Sequence, residues 1–95
     1  MNDRRRDVDA VVRALIDMAL RASYLNDYET FVRSLTDAVG VYELNPTLAQ
    51  CSTSRLRDLL ALIRAGCTVC DILGQPTHQS RILYERAARL TRPFH

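Results

Sequence analysis

Ninety-five residues, 47% of them hydrophobic and 25% charged, suffice for one hydrophobic core and not for two. Three glycines and three prolines leave little material for tight turns, which argues against an all-β fold. The net charge of +2 hides an asymmetry. Residues 1–54 hold six Arg against eight acids, and residues 55–95 hold seven Arg against three. Either the two halves attract each other within one small fold, or the second presents a basic surface to an acidic partner or nucleic acid. Every basic residue is Arg. That suits bidentate pairing at an interface, although codon usage in a GC-rich genome is a cheaper explanation.

Met1 to Arg6 reads as a frayed N-terminal arm, because Arg4, Arg5 and Arg6 oppose the positive end of a helix dipole. Asp7 then suits the N-cap. Val8, Val11, Val12, Leu15, Met18, Ala19 and Ala22 predict a first helix with that face in the core. Asp9, Arg13, Asp17 and Arg21 form the opposite stripe in four-residue steps, acid before base. Arg13 and Asp17 interrupt any apolar region a secretory signal would need, and three cysteines then suit a reducing cytoplasm. Ile16 and Leu20 lie beside the charged stripe, and Tyr24 and Tyr28 continue their step if the helix stays regular. These four either meet the next helix around a bend or form an exposed strip for a partner.

Asn26, with Glu29 three residues on, resembles a capping box for a second helix. Its face is Tyr28, Phe31, Val32, Leu35, Ala38, Val39 and Tyr42; it ends at Gly40 or runs to Leu44, before Asn45-Pro46. Pro46 to Cys51 suits one short helix with proline at its first position. Ser52, Thr53 and Ser54 are good caps for the next segment.

That segment, Leu56 to Leu73, sets Leu56, Leu59, Leu60, Ile63, Cys67, Cys70 and Leu73 on one helical face, widened by Leu62, Val69 and Ile72. Arg57, Arg64 and Asp71 leave only a narrow polar strip. A helix so apolar predicts the central position in the fold. It is too interrupted, and shorter than the roughly 20 apolar residues needed, to cross a bilayer. Gly74 and Pro76 stop it. A last helix spans Thr77 to Thr91, with Ile82, Leu83, Ala87 and Leu90 inward and Arg81, Glu85 and Arg89 outward. The expected fold is an all-α, bundle-like single domain of four helices, or five counting residues 46–51.

Chemistry is sparse. Cys67-Thr-Val-Cys70 falls deep inside a predicted helix, whereas redox dithiols sit at helix N-termini. Cys51, Cys67, Cys70 and His78 can be written as a zinc set, yet no knuckle-like turn accompanies them, and buried cysteines behave as small hydrophobes. No glycine-rich phosphate loop or carboxylate pair is evident. The expectation is therefore a non-enzyme with no cofactor and no metal. No motif is diagnostic of a family.

The function expected is protein–protein interaction, as an adaptor, regulator or chaperone-like subunit. It would bury the strip Ile16, Leu20, Tyr24 and Tyr28 against a partner helix or a second copy of the chain. The alternative is a small nucleic-acid-associated transcriptional regulator using Arg81, Arg86 and Arg89 of the last helix with Arg4, Arg5 and Arg6.

Overall fold

Few residues in this chain can stop a helix, and the helices accordingly run until one does. The computed structural model describes residues 3–51, 53–73 and 78–91, with side chains over 6–48, 54–68 and 79–91. Among the described residues it is all-α, with no strand. The helices are α1 (Asp3–Tyr24), α2 (Tyr28–Leu44), α3 (Pro46–Cys51), α4 (Thr53–Leu73) and α5 (His78–Thr91). The radius of gyration, 13.2 Å, is close to the ~13 Å expected of a folded chain this long. The shortest dimension is 18 Å, which fits two layers of helices spaced about 8–10 Å apart. No helix of the described residues is long and apolar enough to cross a membrane.

α1 begins at Asp3, four residues before the cap expected at Asp7. Arginine ranks high in helix propensity, and the backbone of Arg4, Arg5 and Arg6 is helical, continuous with α1.

The corner after α1 is set by Asn26, the residue with positive φ (57°). Asparagine tolerates this left-handed conformation better than other non-glycine residues. The Asp27 amide donates to the Ala22 carbonyl at 2.9 Å, and the Asn26 amide to that of Ser23 at 3.3 Å. This is the Schellman pattern, which satisfies the last carbonyls of α1.

The N-cap of α2 is consequently Asp27, one residue beyond the cap expected at Asn26. Its carboxylate accepts from the Thr30 amide at 3.1 Å and from the Thr30 hydroxyl at 2.6 Å. The hydroxyl bond, then the amide bond, hold the Asp27 carboxyl below its ordinary value of 3.8. A carboxyl whose folded pKa is depressed stabilises the fold above its unfolded pKa, and that contribution fades as pH falls through the folded value. Asp27→Asn should therefore flatten the acid limb of a pH–stability curve below about pH 4. An unchanged limb would show that the cap charge contributes nothing.

At the far end, the Asn45 amide donates to the Tyr42 carbonyl at 3.0 Å, and its side chain donates to the Val41 carbonyl at 2.8 Å. Gly40 lies inside α2, not at its end.

Among the described residues the hub of the fold is α2, not α4. α2 contacts each of the other four helices, whereas α4 packs mainly on α5, with smaller contacts to α2 and α3. Along α2 only Glu29, Arg33, Asp37, Glu43 and Leu44 are exposed. Along the described part of α4, Ser54, Arg57, Asp58, Ala61, Arg64, Ala65 and Thr68 all are. Leu56, Leu59 and Ile63 of α4 are fully buried, but Leu60, Leu62 and Cys67 only line the core's rim. Val69, Cys70, Ile72 and Leu73, which complete the apolar girth expected of α4, have side chains outside the described residues.

The core-facing side of α1 is shifted toward Ile16 from the one expected. Val12, Ile16, Ala19 and Ala22 enter the core, while Val11 and Met18 remain about half exposed at 48% and 49%. The small Ala19 and Ala22 let α1 lie close on α2, its main neighbour.

Candidate protein-interaction surface

The residues expected to form one apolar strip are divided by the Asn26 corner. Ile16 belongs to the core, at 8% exposure. Leu20 is exposed, at 37%, and Tyr24, at the last turn of α1, is 85% exposed. Tyr28 starts α2 and turns inward, its ring tilted against Phe31 with centroids 5.8 Å apart. A regular helix through residues 24–28 would have aligned all four; the left-handed residue breaks the alignment.

Tyr28 holds three helices together. Its hydroxyl donates to the Gly66 carbonyl of α4 at 3.3 Å and lies 3.0 Å from the Ser80 hydroxyl of α5. A phenol has one proton, so with that proton on Gly66 the Ser80 hydroxyl donates to the tyrosine oxygen. Ser80 is buried. Tyr28→Phe should lower the unfolding free energy by about 1–2 kcal/mol, because it strands a buried hydroxyl. In urea unfolding, its effect should overlap that of Ser80→Ala in a double-mutant cycle; full additivity would sever the pair.

The basic residues are likewise dispersed. Arg86 forks onto Glu43 of α2, its Nε donating to Oε2 at 3.1 Å and a terminal nitrogen to Oε1. Hydrogen bonding from Arg86 holds the Glu43 carboxyl below its ordinary value, and the same bond raises the guanidinium. Arg86 is thus engaged within the fold, tying α5 to α2. Arg81 and Arg89 are exposed and spaced about Glu85 in four-residue steps. The side chains of Arg4 and Arg5 lie outside the described residues. Arg6 lines an open groove with Asp9, Arg13, Asp17 and Arg55, where acids and bases alternate. A second open groove, between α4 and α5, is lined by Leu60, Ala61 and Tyr84 with Arg57 and Arg64.

Cys67 is a half-buried thiol packed against the core. The side chains of Cys51, Cys70 and His78 lie outside the described residues, and among those described no cluster of three metal-ligating side chains occurs.

Of the exposed large apolar side chains, Val11 at 48%, Met18 at 49% and Leu25 at 78% lie at one edge of α1 and just past it, while Ile82 of α5, expected to face inward, is also exposed. The first three recur at seven-residue steps with the exposed Ala14 between them, the spacing of a coiled-coil seam. That step was present in the sequence, but Val11 and Met18 also fit the overlapping core stripe and were absorbed by it. Leu44, 82% exposed, ends α2. Comparisons with protein-family models, curated proteins and solved structures found no match, so the surface chemistry of this chain alone carries the functional reading.

Proposed function

We propose that the protein is a helical protein–protein interaction module that docks a partner helix along the outer edge of α1. The observation that supports this is the row Val11, Met18 and Leu25, held open to solvent on a helix of 22 residues whose main neighbour is α2. A helix that long spans about 33 Å, and packing mainly on α2 leaves the edge that carries this row exposed. Leu20 and Tyr24 extend the apolar surface on the other flank of the same helix. No catalysis and no cofactor enter this reading.

A nucleic-acid regulator is the weaker reading, because Arg86 is committed to Glu43 and the groove around Arg6 mixes both signs. The test is a variant carrying Val11→Arg and Met18→Arg, compared with the unaltered protein by in-cell cross-linking and mass spectrometry. Both substituted positions are solvent-accessible, so far-UV circular dichroism should be unchanged. Cross-links from α1 to another polypeptide should be present for the unaltered chain and lost for the variant. Cross-links that persist in the variant, or their absence from both, would defeat the proposal. Salt-sensitive retention on duplex DNA by both proteins would favour the regulator instead.

A further inference from the structure

The exposed edge of α1 is more regular than its apolar residues alone show. Asp7, Val11, Ala14, Met18, Arg21 and Leu25 follow one another at alternating steps of four and three, the a/d register of a heptad. All six are exposed. The seam is acidic at its beginning, basic near its end, and apolar or small between.

Resting on the docking role of this edge, we infer that its occupant is a second copy of the chain, running antiparallel. A two-fold axis between Ala14 and Met18 sets each Met18 against Ala14 of the second copy, a large side chain facing a small one. The same operation sets Leu25 beside Asp7 of the second copy and lays the stem of Arg21 over Val11. Its guanidinium then reaches Asp7 one turn further on, and the symmetric pair forms at the other end. A parallel pairing would instead set Asp7 against Asp7 and Arg21 against Arg21. The order of charges along the seam therefore selects the antiparallel form. Because the seam is self-complementary under a two-fold, no separate partner is needed to match it.

The experiment is sedimentation equilibrium of the full chain and three variants across a wide concentration range. The unaltered chain should approach twice its mass of 10.8 kDa and dissociate on dilution. Asp7→Arg and Arg21→Asp should each weaken self-association about tenfold, because each sets like charges together at both ends. The double variant Asp7→Arg/Arg21→Asp restores opposite charges and should return to within about threefold of the unaltered chain. It keeps any fraying that Arg at position 7 introduces, so recovery separates pairing from helix damage. Three results would overturn the inference: a monomer at every concentration, a dimer indifferent to the single variants, or a double variant no tighter than its parents. A monomer whose α1 still cross-links in cells to a different polypeptide would leave the docking role standing and remove only the second copy.

Discussion

Leu35→Ala is expected to lower the unfolding free energy by about 2–5 kcal/mol, as for other fully buried leucines. Leu35 is 1% exposed in the middle of α2, the helix against which all the others rest. Truncating it leaves a void in the core cluster that α2 shares with α1, α4 and α5, which resists collapse because the surrounding structure relaxes only in part. Against a total of about 5–15 kcal/mol for a domain of this kind, that is a large share. Leu60→Ala is the matched comparison. Leu60 lies on α4, only partly buried at the edge of the α4/α5 groove, so its removal opens a dent that water can fill. Urea unfolding followed by circular dichroism should show the Leu35 variant far less stable than the Leu60 variant. Equal losses would mean that α4, not α2, is the hub.

That comparison bears on what a linear pattern can say. The number of helices and most of their ends were legible, because Asn45-Pro46 and the three-to-four spacing of apolar residues act over a few positions. The hub was not. Periodicity reports how wide an apolar face is, and α4 has the wider-looking face. The number of neighbours on a face is a property of the assembled layers. α2 buries the small Ser34 and Ala38 along with its larger apolar residues, and smallness carries little weight in a count of apolar residues. On α1, two overlapping stripes both satisfy the helical period. Packing of Ala19 and Ala22 toward the core chose between them and left Met18 outside.

The surface was legible only in part. For Tyr24 the sequence leaves a contact around the bend and an exposed strip both open, and the ring is exposed. Tyr28 was grouped with it by spacing, yet its hydroxyl answers to Gly66 and Ser80, 38 and 52 residues away. Arg86 finds Glu43 across 43 residues. Local spacing cannot show such pairs, since i to i+4 reasoning ends at one turn. The exposed i,i+4 pair Glu29–Arg33, at 3.0 Å, is the kind it does show, and such pairs contribute only about 0.3–0.5 kcal/mol.

Gly66→Val should cost about 3 kcal/mol, the upper part of the range for overpacking a filled core. Gly66 is buried in α4, and a Cβ there would come within 2.7 Å of Phe31 Cε1. The ring has little room to retreat, because Phe31 is 6% exposed and tilted against Tyr28, itself bonded to the Gly66 carbonyl. Glycine inside a helix ordinarily sacrifices about 1 kcal/mol relative to alanine, so only the close approach of α2 accounts for it here. Gly40 supplies the control. Nothing lies within 4 Å of a Cβ built at that position, and Gly40→Ala should gain about 0.5–1 kcal/mol. Shrinking the opposing ring should also relieve the crowding. Phe31→Leu destabilises on its own, yet combined with Gly66→Val it should recover at least ~1 kcal/mol relative to the sum of the single changes. If the two losses simply add, the notch at Gly66 is not what seats Phe31, and the α2–α4 contact must be held by the leucines of α4 instead.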